Sequence, residues 1–531
     1  MTHIVARPVG AAALRAMLLD GEELALIDVR EERIFSESHL LFARSVPLSR
    51  LELRVKRLVP RLATRIVLVD AADGLAERAA RVLSKAGYSN LRILDGGIAG
   101  WAAAGFELFS GVNVPSKAFG EFVEHARDTP NIGPEELDAL MRNGTDMVVL
   151  DSRPFDEYAR VSIPTGVNVP GAELVLRIHD IAPSPDTLVV VNCAGRTRSI
   201  IGAQSLINAG VPNKVVALRN GTMGWSLAGF KPDSGESRRA PAVTPGGLAW
   251  ANSATETVAR ELDIERIDAA TLARLRADDT RTLYLFDVRD PAEYAAGHVA
   301  GALSAPGGQL VQATDQYAGT LHARIVLADD KAARAVMTAS WLRQMGWRDV
   351  FVLVASGNET APPHDPVLGE ASRDAALDSA VLADLVARGE ATVIDLSLSR
   401  DYLAAHIPGA WFAIRSRLDR ALAKIPLRGT VVLTSEDGVL AALAVGEARA
   451  STTLPVRSLQ GGNAAWRAAG LALTNDDPRM ADEPVDAWLK PYERPDGAKQ
   501  AMADYLAWET DLLPRIARDG CAKFSAFAPQ T

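Results

Sequence analysis

"LFDVRDPAEYAAGHVAGA", residues 285–302, carries an apolar run that ends in Asp287 and, eleven residues on, His298 before a Gly turn. The same order recurs as "LIDVREERIFSESHL" at 26–40, "VLDSRPFDEYARVSIPTG" at 149–166 and "VIDLSLSRDYLAAHIPGA" at 393–410. The chain therefore holds four copies of one unit. Their aspartates, Asp28, Asp151, Asp287 and Asp395, lie 123, 136 and 108 residues apart. Such spacing suits whole domains in tandem and is too long for solenoid repeats of about 20–50 residues.

Working outward, each copy has the same plan. A helical pattern precedes the aspartate run, seen in "PEELDALMRNG", "DAATLARLRADD" and "DSAVLADLVARGE". After the turn comes a second apolar run, "RIVLVD", "TLVVVN", "RIVLAD" or "TVVLTS", then an Ala-rich helical segment and a third strand. Copies one, two and four close on Trp101, Trp225 and Trp466. Alternating strands and helices predict an α/β unit: an open, mainly parallel sheet with helices on both faces. The expected domains are 1–112, 113–238, 239–375 and 376–476, followed by a helical extension over 477–531. Residues 235–262, rich in Pro, Gly, Ser and Thr, read as the main linker between halves.

Composition bounds the function classes. A chain of 531 residues is too long for one core and suits three or four domains. Its 48% hydrophobic and 23% charged residues are those of an ordinary globular protein. With 66 acidic against 57 basic residues the net charge is −9, which disfavours nucleic acid or an anionic membrane as partner. Two cysteines cannot form a disulfide framework, no run approaches the roughly 18 apolar residues of a membrane span, and "MTHIVARPVG" lacks a secretory core. The expected location is the cytoplasm.

In parallel sheets ligands bind beyond the carboxyl ends of the strands. There, in "VVVNCAGRTRSIIG" at 189–202, Cys193 meets Arg196 and Arg198. By apolar register the corresponding residues are Ala71 in copy one, Asp330 in copy three and Ser435 in copy four, so one copy alone carries a thiol.

The Asp-Val-Arg strand end, the Gly-His turn and a Cys loop entering a helix resemble the rhodanese (thiosulfate sulfurtransferase) family, over four domains reaching about residue 476. The resemblance implies a cysteine that alternates between thiol and persulfide, in company with degenerate domains that lack it. One departure stands out: many family loops place Gly fourth from the cysteine, whereas here Gly195 is third and Arg196 fourth.

Residue chemistry points the same way. A cysteine at a helix N-terminus beside arginine is held as the nucleophilic thiolate, because amide N–H groups and guanidinium charge stabilise the anion. Ala194, Gly195, Arg196, Thr197, Arg198 and Ser199 are expected to form an anion nest, Gly195 allowing close backbone approach. Arg196 and Arg198 are expected to grip an oxyanion such as thiosulfate. Attack on the sulfane sulfur expels sulfite and leaves a persulfide, which a thiol or cyanide acceptor then removes in ping-pong fashion. Neither metal nor organic cofactor is needed. Arg177, ahead of the cysteine strand, belongs either to the pocket wall or to a solvated helix face. The aspartate series and His39, His298 and His406 read as structural, since they persist in copies without a thiol, and copy two has Ser162 at the histidine position. Cys521, with no strand end beside it, reads as an inert small hydrophobe.

Two alternatives stay open. A phosphatase or arsenate reductase also uses a cysteine loop closing on arginine, but the phosphatases of this fold have five residues between the two, against four from Cys193 to Arg198. A non-catalytic sulfur carrier or scaffold would explain three copies without a nucleophile. Copy one is expected to pack on copy two and wall the crevice, with copies three and four repeating that pairing. The tail, "AKQAMADYLAWETDLLPRIARDG", has apolar residues at helical spacing and is expected to cover a domain surface or the partner in a homodimer.

Overall fold

The apolar runs form four parallel sheets in the computed structural model, which describes residues 6–361, 366–369 and 371–527. In copy two the strand order is Asn131–Ile132, Val215–Leu218, Leu188–Asn192, Met147–Asp151, Val167–Asn168. Copy three repeats it with Glu265–Ile267, Val350–Leu353, Arg324–Ala328, Leu283–Asp287 and Leu303–Ser304. Copies one and four follow the same order, each with one further strand.

Both faces of each sheet are covered, so the central strands are apolar throughout. In Leu188–Asn192 the side chains alternate. Val189 and Val191 pack with Leu150, Ile178 and Leu206 on one face. Val190 packs with Val149, Val216 and Trp225 on the other. Each fully buried valine contributes about 1.5–3 kcal/mol. The closing tryptophans are equivalent: Trp101, Trp225 and Trp466 donate Nε1–H to the carbonyls of Glu107 (2.9 Å), Lys231 (3.2 Å) and Ala472 (2.9 Å).

Residues 235–262 are not simply a linker. Their second half is the helix Pro245–Glu261, capped by Thr244, whose Oγ1 accepts from Gly247 N at 3.0 Å. Ala251, Thr255, Val258 and Ala259 are buried along it, an apolar stripe that the Gly, Ser and Thr content obscured. It packs on the helices Glu173–Ile181 and Ala333–Gln344 and so joins copies two and three.

The pairing of copies also differs from expectation. Copy two faces copy three, and copy one faces copy four. Gly171 meets Gly308 so closely that a Cβ on Gly308 would lie 3.0 Å from Gly171 Cα. Around that contact the two copies exchange equivalent interactions, Arg198 Nη1 donating to Gln309 Oε1 at 2.9 Å and Arg334 Nη1 to Glu173 Oε1 at 2.8 Å. Copies one and four join through the buried pair Arg415–Glu52 at 2.8 Å and through Ser416 Oγ, which donates to Glu31 Oε1 at 2.9 Å. The two pairs are then stitched together. Thr320–Leu321 of copy three runs antiparallel to Leu24–Ala25 and extends the sheet of copy one.

The tail begins as an added strand, Arg479–Met480, beside Trp411–Phe412 of copy four. It passes copy one, where Arg33 N donates to Val485 O at 3.0 Å and Trp488 N to Glu32 Oε2 at 3.0 Å. The helices Ala498–Thr510 and Leu512–Asp519 follow and pack on the helix Val114–Arg127. Among the described residues no helix is long and apolar enough to cross a membrane.

Candidate active site

Strand Leu188–Asn192 ends at the centre of its sheet and delivers Cys193 to the start of the helix Thr197–Asn208. The loop's outward carbonyls are tied to the next turn: Thr222 N donates to Cys193 O at 2.8 Å and Met223 N to Ala194 O at 2.9 Å. Gly221 (φ +54°) makes this approach possible, since a Cβ there would run into Cys193 O. In the first helical turn Ser199 N and Ile200 N both donate to Arg196 O at 3.1 Å. Cys193 is 2% exposed, and its Sγ lies 3.5 Å from Ser199 Oγ, whose own hydrogen goes to Arg196 O at 2.7 Å.

The other copies show what this loop holds. Asn192 pairs with Asp151, and its register partners in copies one, three and four are Val69, Ala328 and Thr434. The residues at the cysteine position are therefore Asp70, Asp329 and Ser435, which corrects Ala71 and Asp330 by one place. An apolar run in the sequence does not mark where its strand stops. Asp70 accepts backbone N–H groups from Ala72 (2.9 Å) and Ala76 (3.0 Å). Asp329 accepts from Lys331 (3.1 Å), Arg334 (2.9 Å) and Ala335 (3.2 Å). Two copies thus carry a carboxyl group where copy two carries sulfur; by the same offsets the corresponding amides in copy two are those of Gly195, Arg198 and Ser199, the last of which donates to Arg196 O at 3.1 Å.

The arginines are not free hands for a substrate. Arg196 donates Nε and Nη2 to Glu121 at 2.6 and 2.7 Å, Nη1 to Asn220 Oδ1 at 3.3 Å, and also pairs with Glu124. Its guanidinium clamps the helix Val114–Arg127 to the loop, so the expected grip on an oxyanion is corrected for this residue. Arg198 is bound to Glu157 (2.8 Å) and Gln309 (2.9 Å). Burial opposes its charge, but Glu157 and Cys193 more than offset this and raise its pKa above the usual guanidinium value. Glu157 in turn stays well below the ordinary carboxylate range despite its burial, because Arg198 and Lys490 face it. Arg177 lies outside the site. It donates to Glu173 Oε2 at 2.6 Å and Pro241 O at 2.7 Å, and the pocket-wall reading is corrected.

A cavity of about 240 Å³ opens over Cys193. Copy two supplies its floor, from Ala194 to Arg198, together with Glu157 and Met223. Lys117 of the connecting helix, Gln309 and Gln312 of copy three, and Lys490, Tyr492 and Glu509 of the tail line it as well. Of the described residues expected in copy one only Val112, at its very end, lines the crevice, so the expected wall is corrected. An adjoining cavity of about 490 Å³ shares Glu157, Ala194, Met223 and Tyr492 with the crevice and is lined by Met502 as well.

Sequence reasoning missed the tail's part. Glu509 is fully buried, accepting from Tyr505 Oη at 3.1 Å and Thr197 Oγ1 at 3.4 Å, with Lys117 Nζ at 3.4 Å. Its Oε2 has no hydrogen-bond partner among the described residues and sits where a Cβ on Gly195 would meet it at 3.2 Å. Burial pushes its carboxyl pKa up, and Lys117 opposes this without overcoming it. One signal was available: Glu509 continues the stripe Met502, Leu506 at helical spacing, an acid on an apolar face.

The structural residues behave as their persistence suggested. Asp28, Asp151 and Asp287 hold the arginine two places on, at 2.6, 2.6 and 2.7 Å. His39, His298 and His406 are buried and stacked on Phe35, Tyr294 and Tyr402. Cys521 is also buried. Desolvation and the neighbouring Asp519 push its thiol pKa up to about 12.

Comparison with known proteins agrees with this geometry. The rhodanese-like domain family matches residues 10–104, 133–228, 268–359 and 378–469. The crystal structure of a thiosulfate sulfurtransferase from Pseudomonas aeruginosa is 46% identical, with a TM-score of 0.95 over 98% of this chain and 100% of that one. An HTH-type transcriptional regulator, Rv0324 of Mycobacterium tuberculosis, is 30% identical over 94 residues, 18% of this chain, and the match spans 41% of the regulator's length. With a family match in each of its four sheet units and one such unit carrying the loop cysteine, the chain belongs to the rhodanese family.

Proposed function

We propose that the chain is a thiosulfate sulfurtransferase in which copy two does the chemistry through Cys193. The observation that carries the reading is the anion cradle: the position filled by the carboxylates Asp70 and Asp329 in copies one and three holds a sulfur in copy two. A side-chain carboxyl group fills the cradle in those copies, and in copy two the nucleophile and its persulfide do so. The Cys193 thiolate attacks the sulfane sulfur of thiosulfate, a new S–S bond forms, and the S–S bond of the donor breaks with its electron pair leaving on sulfite. The persulfide anion stays in the nest. A thiolate or cyanide then attacks the outer sulfur and the electron pair returns to Cys193.

Arg198, Lys117 and Lys490 supply positive charge along the cavity wall. Arg196 is a positioning residue. Donor and acceptor are small molecules, and a cytoplasmic setting, which keeps thiols reduced, accords with this reading. Mass spectrometry after incubation with thiosulfate tests it. The expected result is one added sulfur on Cys193, removed by cyanide and absent in Cys193→Ser. No added sulfur, or turnover of aryl phosphates in its place, overturns it.

A further inference from the structure

A second cavity with a charge character of its own lies away from Cys193, where copy one, copy three and the tail meet. Its volume is about 370 Å³. Leu18, Phe42, Leu321, Trp347 and Phe524 give it apolar walls. Four cations also line it. Arg44 is buried at 3% exposure, Arg343 is half-buried, and Arg348 and Lys523 are exposed at the rim. Arg44 donates to the carbonyls of Ala318 (3.2 Å) and Phe42 (3.3 Å), and Arg343 to those of Leu262 (3.4 Å) and Asp263 (3.3 Å). Among the described residues none of the four forms an ion pair within 4.0 Å.

The contrast with the Cys193 cavity is direct, since Arg196 there is paired with Glu121, and Arg198 and Lys490 with Glu157. In a chain of net charge −9, four cations without an ion pair around one apolar cavity favour an anionic ligand. One carboxylate lines the site, Asp315. Its buried Oδ1 has no hydrogen-bond partner among the described residues, and burial raises its pKa although Arg44 faces it and opposes the shift. Pro115 and Ser116, in the first turn of the fourteen-residue helix Val114–Arg127, also face the cavity and add the positive end of that helix.

We propose that this cavity is a second ligand site, for an anion with an apolar body: an aryl or alkyl carboxylate or sulfonate. The anionic group lies between Arg44 and the rim cations Arg348 and Lys523, and the body rests on Trp347, Phe42 and Leu321. The site does not depend on sulfur transfer. Cys521 on its wall is not a reacting group, because its thiol keeps its proton.

Fluorescence titration of the full chain with 8-anilinonaphthalene-1-sulfonate tests the proposal. One site per chain is expected, and affinity should fall about tenfold or more in Arg44→Met and in the surface double variant Arg348→Ser/Lys523→Ser, as loss of charge-assisted contacts requires. The uncharged N-phenyl-1-naphthylamine should bind the double variant as it binds the wild type, and Lys490→Ser, in the Cys193 cavity, should leave sulfonate binding unchanged. Equal sulfonate affinity in the wild type and the surface double variant overturns the proposal, as does the absence of a single stoichiometric site. The double variant removes only exposed side chains, so the result stands even if Arg44→Met fails to fold.

Discussion

At the scale of single residues, the two cysteines differ by environment rather than by burial. Both are buried, but Cys193 lies beside Ser199 and Arg198, whereas Cys521 lies next to Asp519. Cys193→Ser is expected to reduce thiosulfate-to-cyanide transfer to background and Cys521→Ser to leave it intact, measured as thiocyanate formed. Iodoacetamide at about pH 8 should leave Cys521 of the folded protein unlabelled, since the thiolate is the reactive form. Glu509 makes a separate prediction. Its raised pKa means that the folded state holds this proton more tightly than the unfolded one, so its contribution is present at low pH and is lost as pH rises through the folded value. Glu509→Gln mimics the protonated acid and should remove the loss of tail docking that the wild type shows as pH rises above the ordinary carboxylate value, read by proteolysis of the tail across a pH series. The cysteine was legible because Gly, two Arg and Ser follow it within six residues. The pairing of those arginines was not, because Glu121 and Glu157 lie 75 and 41 residues away from them.

Elements were legible where one period dominates. The aspartate strands and the second apolar runs stand where alternation and turn residues place them. The helix Pro245–Glu261 was hidden because its buried face is built from Ala, Thr and Val rather than Leu. The contact of copies one and four carries a pH signature of its own. Glu31 is buried there and accepts from Ser49 Oγ (3.0 Å) and Ser416 Oγ (2.9 Å), and burial pushes its carboxyl up to about 7. With a folded pKa above the ordinary carboxylate value of 4.5, the unfolded chain binds fewer protons between those values, and stability must fall as pH rises through that window. At about 1.4 kcal/mol per unit the effect reaches a few kcal/mol. Melting temperatures at about pH 5 and pH 8 should therefore fall more in the wild type than in Glu31→Gln. A pH slope shared equally by both proteins would contradict this.

For the whole molecule, four copies and their order were plain from the repeat, and their pairing was not. Helical and strand periods report which face is apolar, not which neighbour covers it. The faces that decide the pairing, Gly171 against Gly308 and Glu52 against Arg415, are separated by long stretches of chain. The arrangement gives the copies without a thiol a physical task. Copy three walls the crevice with Gln309 and Gln312, while copies one and four carry the tail to it. A chain ending at residue 476 is accordingly expected to alkylate faster at Cys193 and to need more thiosulfate for half-maximal rate. Unchanged alkylation kinetics would show that the tail does not enclose the site. Residues 113–238 alone should lose the same walls and use the donor poorly.

The hydrogen bond between Thr197 and Glu509 spans 312 residues. At roughly 5–20 residues per second, a ribosome needs on the order of 15–60 s to make that stretch. During that interval the nascent polypeptide bears its nucleophile without a roof, and any transcript that stops early yields a protein with an open, oxidisable sulfur. Synthesis of the tail is thus the event that puts the cysteine under cover.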